Sequence, residues 1–149
     1  MKIEKFEDIK AWQEARVLVG MVYAAVGADR DFGSDFRFRE QIQGAAVSIM
    51  SNIAEGFSRR TTKEFVQFLF IAKGSVAEVQ SQLYVALDQG YTNQERFKEL
   101  HSKSDEVARL TSGFIRYLLN KDKPQALNQP NKLSEHEELN KPKRLNKLK

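Results

Sequence analysis

The densest cluster of chemically capable side chains lies in S-R-R-T-T-K-E-F, residues 58 to 65, where Arg59, Arg60 and Lys63 stand at the start of a helix. Guanidinium groups beside the free backbone N–H groups of a helix N-terminus can hold a phosphate. The helix dipole disfavours cations at that end by about 0.3 to 1 kcal/mol each, so something must offset them: Glu55 and Glu64, or an anionic ligand. Upstream, Ser48, Asn52 and Glu55 recur at steps of four and three and share one side of a helix. That stripe can face a pore or ligand, or be structural, with Asn52 bonding backbone and Glu55 capping the next helix or pairing with Arg59 or Arg60. The structural reading is preferred, because a general acid at Glu55 needs a carboxylate or histidine partner that the sequence does not identify. His101 and His136 stand alone, without metal-ligand company. Lys73, Gly74 and Ser75 follow one another on a helix and form no phosphate loop, and no nucleophile motif or dinucleotide fingerprint occurs. The expectation is no catalytic residue, no metal, no cofactor, and no enzymatic activity.

These residues must be positioned by helices. Ile9, Trp12, Ala15, Val19, Val22 and Val26 recur at steps of three and four, which predicts a helix from about Asp8, its N-cap, to Val26, with Gly27 at its stop. Ala28 to Asp35 reads as a connection, with Phe32 and Phe36 tucking in over the bundle end. A second helix, about Arg37 to Glu55, turns Phe38, Ile42, Ala45, Ala46, Ile49 and Ile53 inward. A third starts at Thr61, where T-T-K-E forms a capping box with Glu64, and runs to Asp88, roughly 40 Å at about 1.5 Å per residue. Its inner stripe is Phe65, Phe68, Leu69, Ala72, Val76, Val79, Leu83 and Leu87. A fourth follows Gly90 with a capping box at Thr92 and Glu95, and carries Phe97, Leu100, Ser104, Val107, Thr111, Phe114 and Leu118 inward. Short connections make neighbours antiparallel, so the expected fold is all-α, an up-down-up-down four-helix bundle over residues 1 to 119.

The second and third helices carry more apolar surface than such a bundle needs. No charged residue occurs from Gln41 to Ala54, whereas a helix covering a monomer keeps charges outside. Val47, Met50, Val66, Phe70 and Ile71 together make a patch that other subunits must cover, which predicts a homo-oligomer.

Composition narrows the remaining possibilities. The 149 residues form one domain and include no cysteine, which excludes disulfides and thiolate chemistry. The start, M-K-I-E-K-F-E-D-I-K, lacks the apolar stretch of a signal peptide, and no run of about 18 apolar residues exists, so a soluble, cytoplasmic protein with no membrane partner is expected. Residues 1 to 119 hold 16 basic and 16 acidic side chains, and residues 120 to 149 hold 8 and 4. The net charge of +4 therefore belongs to the tail. With three prolines and no apolar stripe, residues 120 to 149 read as a disordered or loosely held basic tail. Lys143 and Arg144 lie in its last, most basic stretch. It serves as a solubilising segment or as an arm for phosphate backbones.

The motifs F-E-D-I-K-A-W-Q-E-A, S-N-I-A-E-G, R-R-T-T-K-E-F and F-L-F-I-A-K-G-S-V-A-E-V, spread in order over residues 5 to 119, resemble those of the bacterial four helix bundle protein family. That family includes proteins encoded by intervening sequences within 23S ribosomal RNA genes. Where it commonly has a proline before S-N, this chain has Met50, which leaves the second helix straighter or less perturbed. The resemblance implies a homo-oligomer, a five-membered ring, with no demonstrated enzymatic activity. A similar fold serves as the accessory protein of diversity-generating retroelements, where a basic ring binds nucleic acid and a reverse transcriptase. By that analogy Arg59, Arg60, Lys63, Lys143 and Arg144 are the residues that would meet RNA, DNA or a nucleoprotein. The alternative is a structural scaffold or protein adaptor without nucleic-acid affinity.

Overall fold

The computed structural model describes residues 2–123, and the expected disorder of the remaining tail, with Lys143, Arg144 and His136, lies outside the described residues. Among the described residues the structure is all-α. A single 3-10 turn, Phe6–Asp8, precedes α1 (Lys10–Ala28), α2 (Arg30–Ser34), α3 (Phe36–Phe57), α4 (Thr62–Asp88) and α5 (Gln94–Lys121). None of these helices is long and apolar enough to cross a membrane.

The helix ends follow local hydrogen-bond chemistry, not always at the anticipated residue. Asp8 does not cap α1. Its carboxylate turns back to accept from the backbone N–H groups of Glu4 and Lys5 at 3.0 and 3.1 Å. Those donors hold its pKa below the usual carboxylate value. Ile9 takes the N-cap position without a side-chain bond. The connection after α1 is itself a short helix, because Asp29 accepts from the Phe32 N–H at 2.8 Å and starts a turn. Asp35 repeats the device for α3, accepting from Phe38 N–H at 3.2 Å. Thr61 caps α4 through Glu64 N–H at 3.2 Å, and its hydroxyl donates to the Glu64 carboxylate at 2.9 Å. At α5 the cap is Asn93, which accepts from Arg96 N–H at 2.8 Å. The expected Thr92–Glu95 box is thus displaced by one residue, and Thr92 is buried.

The four long helices enclose one core. α1 packs on α3 and α5, α4 packs on α3 and α5, and α1 and α4 share no comparable packing, so those two lie across the bundle from each other. The fully buried large side chains include Leu18, Ile42, Ile49, Ile53, Leu69, Leu83 and Leu100. Each contributes about 1.5–3 kcal/mol by leaving water. Ser104 and Thr111 are also buried on α5, where they satisfy their hydroxyls by donating to the carbonyls of Leu100 and Val107 at 2.8 and 2.7 Å.

One end of the bundle is closed by aromatic rings. Phe32 is buried and stacks on Phe38 and Tyr91, with centroids 5.7 and 5.2 Å apart. Phe36 was expected there too. It is instead 63% exposed, with the Arg39 guanidinium over its ring. The reason is rotational: Phe38, two residues on, faces inward to meet Tyr91 from the turn before α5.

Candidate subunit interface and basic corner

The outer surface of α3 and α4 is built by helical phase. On α3, Ile42, Ala45, Ala46, Ile49 and Ile53 point into the core, which leaves Gln41, Gly44, Val47 and Ser51 exposed. α3 runs unbroken through Met50, the position where a proline would have interrupted its ladder. On α4 the buried stripe is Val66, Leu69, Ala72, Ser75, Val76, Val79, Leu83 and Ala86. This places Phe70 and Ile71 outside, 54% and 52% exposed, in a row with Gln67, Gly74 and Ala77.

The five residues expected at an oligomer contact therefore separate. Val47, Phe70 and Ile71 are exposed, and Met50 is half-buried against the core. Val66 does not belong to the outer face: it is 7% exposed and part of the core. The expected stripe placed Phe65 and Phe68 in its position, one step out of phase. Those two rings lie at the bundle's other end. Phe65 meets Phe57 and Phe114 edge-on at 6.1 and 5.4 Å. A Cβ at Gly56 would stand 2.7 Å from both Phe65 Cδ2 and Phe68 Cβ, so only glycine lets α4 start so close to the end of α3.

A polar seam joins α3 and α4 beside this face. The Ser48 and Ser75 hydroxyls share a hydrogen bond at 3.0 Å, and Asn52 Nδ2 donates to the Ser48 carbonyl at 2.8 Å and its Oγ at 3.0 Å. Asn52 is thereby tied to its own helix. Ser75 was weighed in the sequence only as part of a phosphate loop, and its place beside the buried Val76 puts its hydroxyl against the neighbouring helix.

The corner between the two helices holds the basic residues. The Arg59 guanidinium donates to Glu55 Oε1 at 2.8 Å and lies 4.7 Å over the Phe68 ring. Its charge is answered within the chain. Arg60 and Lys63 are exposed, with no carboxylate within 4.0 Å among the described residues. The corner therefore presents two uncommitted cations beside the first turn of α4, where the Glu64 carboxylate already sits.

The opposite side of the molecule is rich in charges. Lys103 on α5 bonds Glu14 on α1 at 2.5 Å and Glu106 at 2.9 Å, and Lys10 reaches Glu14 at 3.1 Å. The Lys103 ammonium and then Lys10 hold the Glu14 carboxyl below its ordinary range. Glu14 and then Glu106 raise Lys103 above its own. His101 sits against Tyr84 and Phe97 with Asp105 3.6 Å away. Among the described residues no group of three His, Asp or Glu side chains is placed to hold a metal ion.

Comparison with known proteins was informative at the level of family and fold. No curated protein matches the chain. Its fold is shared with the crystal structure of a protein of unknown function from the S23 ribosomal protein family of Bacteroides thetaiotaomicron, at a TM-score of 0.64 and 19% identity over 71% of this chain and 98% of that one. Residues 7–113 match the 23S rRNA-intervening sequence proteins. The described bundle and that match coincide over most of their length, and the chain belongs to the 23S rRNA-intervening sequence protein family.

Proposed function

We propose that this is a non-enzymatic homo-oligomeric protein of the bacterial cytoplasm, assembled through the outer face of α3 and α4 into a ring, five-membered as the family resemblance implies. The observation that carries the reading is a helix, α3, without a charge from Gln41 to Ala54, lying beside exposed Phe70 and Ile71 on α4. Water-facing helix surfaces ordinarily carry charges, and an apolar surface of this kind gains by burial against another subunit. The four long helices are taken to run up-down-up-down. The pairings Asp35 with Tyr91, Ser48 with Ser75 and Gly56 with Phe65 support an antiparallel α3 and α4, and the cavities that Ala28 shares with Asn93 and Lys10 shares with Arg109 support the same for α1 and α5.

Light scattering on the full chain tests this reading. An oligomer is expected, and Phe70→Glu should reduce it to monomers without loss of helical content. A monomer for the unmodified protein would sink the proposal.

A second reading rests on Arg60 and Lys63, the exposed cations of the corner, and on a family named for 23S rRNA. A ring would repeat that corner around its rim and offer it, with Lys143 and Arg144 of the tail, to RNA, DNA or a nucleoprotein. Anisotropy against RNA and DNA at rising salt should then show affinity that falls steeply as counterions return. Loss of affinity in Arg60→Glu plus Lys63→Glu would support the corner, and truncation after Lys123 would isolate the tail. No affinity even at low salt leaves the protein a scaffold or adaptor.

A further inference from the structure

We infer that the apolar trough between the start of α1 and the second half of α5 is the docking site for this chain's own residues 127–133, L-N-Q-P-N-K-L, laid in as an extended segment.

The trough consists of two cavities of about 830 and 330 Å³ that share Ile3, Phe114 and Tyr117. The larger is walled by Ile9 and Leu110, and the smaller reaches Phe57 and Phe65. Tyr117 stands where the two meet, 55% exposed and stacked on the Phe114 ring. Aromatic walls of this kind suit a proline-containing segment, which docks in the polyproline II form with little conformational freedom left to lose.

The chain supplies such a segment at the right place. Lys121, the last residue of α5, itself lines the smaller cavity, so the residues beyond the described ones start near the mouth of the trough. Leu127, Pro130 and Leu133 are spaced by three. Polyproline II turns once in three residues and would set them on one edge, about 19 Å long at ~3.1 Å per residue. The trough runs beside α5 from Leu110 to Lys121, about 17 Å at ~1.5 Å per residue. Two leucines and a proline therefore match it in length and in chemistry.

The pattern occurs twice, the second time as L-N-K-P-K-R-L in residues 139–145. Charge selects between the copies. Lys2, Lys10, Arg109 and Lys121 stand around the trough against Asp8 and Glu106. The second copy would add Lys141, Lys143 and Arg144 to that surplus, whereas the first adds Lys132 alone and is followed by Glu135, Glu137 and Glu138. Arg109, with no carboxylate within 4.0 Å among the described residues, is available to that acidic run.

The chain has no cysteine, so a pair of introduced thiols reports the contact without background. Gly113 lines the larger cavity and has room for a side chain, an added Cβ meeting only Arg116 Nη2 at 3.8 Å. In the full chain, Gly113→Cys is combined with Asn131→Cys in the first copy or with Lys143→Cys at the matching place in the second. Gln13→Cys, also lining that cavity, serves as a second bundle position, and circular dichroism establishes that each variant is folded. A free tether favours the nearer cysteine by only about fourfold, from the −3/2 power of its length. Docking should raise the rate of disulfide formation at Asn131→Cys on the order of tenfold beyond that ratio, and Leu127→Ser plus Leu133→Ser should abolish the excess. A ratio no larger than that of a free tether, or a rate untouched by the two serines, would overturn the inference. Faster bonding at Lys143→Cys would overturn it by giving the trough to the second copy. A bond that doubles the 17.1 kDa chain mass would overturn it by giving the trough to another subunit's segment.

Discussion

The outer sides of α5 and of the α3/α4 pair are similar in length and opposite in chemistry. α5 buries a narrow stripe that ends with Ile115 and Leu118 and sets Lys, Arg, Glu and Asp around it as far as Arg109, leaving Tyr117 and Leu119 exposed only near its end. Its ion pairs to α1, through Lys103 and Glu14, hold the bundle together from the wet side. α3 and α4 bury comparable stripes but leave Val47, Phe70 and Ile71 in water, interrupted by glycine and small polar residues. The difference teaches that burial within the subunit does not explain the composition of α3 and α4. Part of their pattern is answered inside the bundle, and the remainder faces water.

The largest effect that would sharpen this comparison is on α4 itself, where Val66 and Phe70 are four residues apart and separated by burial. Val66→Asp places a charge in the core and should cost at least ~3 kcal/mol, read as a large fall in melting temperature. Phe70→Asp should leave the melting of the monomer nearly unchanged. Equal destabilisation by the two would break the distinction between an inner and an outer face of α4.

On the charged side, Lys103→Met should cost about 1 kcal/mol at neutral pH, because it leaves the partly buried Glu14 with Lys10 alone as its partner. The pH dependence has a definite sign. Glu14 has a folded pKa below its ordinary 4.5, so its contribution is present above that value and is lost as pH falls through the depressed one. Lys103, raised above 10.5, contributes below that value and loses its contribution as pH rises through the raised one. Glu14→Gln should therefore flatten part of the acid limb of the stability curve. An unchanged limb would dismiss the pair as a stabilising contact.

The smallest effect is the most discriminating. Gly44→Ala adds a methyl group where nothing lies within 4 Å, and alanine is the better helix former by about 1 kcal/mol. The isolated subunit should become slightly more stable by chemical denaturation, while assembly measured by light scattering should weaken. Movement of both in the same direction would remove the case for close approach at this face.

Much of this was legible in the sequence, for reasons that differ by element. The four long helices follow from apolar spacing, and Thr61 with Glu64 marks the start of α4 through bonds made within four residues. The stripe on α5 was readable because its charges delimit it, except that Ile115 is buried where Phe114, which is only partly buried, was expected. On α4 the same method was one step out of phase, since Phe65, Val66, Phe68, Leu69, Phe70 and Ile71 are all apolar and periodicity alone cannot choose among them. Gly56 resolves the choice through a contact across the turn, which no local pattern encodes. Tyr91 was missed as the partner of Phe32 because the pair is brought together only by the path of α3 and α4. The corner was read as one cluster of three cations, with Glu55 able to pair with either arginine. The structure separates them, because the ring of Phe68 and the carboxylate of Glu55 converge on Arg59 alone.

Asp35 carries a consequence for how the molecule opens. One of its carboxylate oxygens accepts from the first turn of α3 at Phe38, and the other accepts the Tyr91 hydroxyl at 2.8 Å. The α3–α4 hairpin is joined covalently at one end by residues 58–61, and this residue clasps the other. A hairpin secured at both ends has no free tip from which to unzip. Its amides should exchange with solvent together, as one cooperative unit, with fraying confined to α1 and the end of α5. The exposed apolar side chains Val47, Phe70 and Ile71 would then be borne by the part of the chain that opens last.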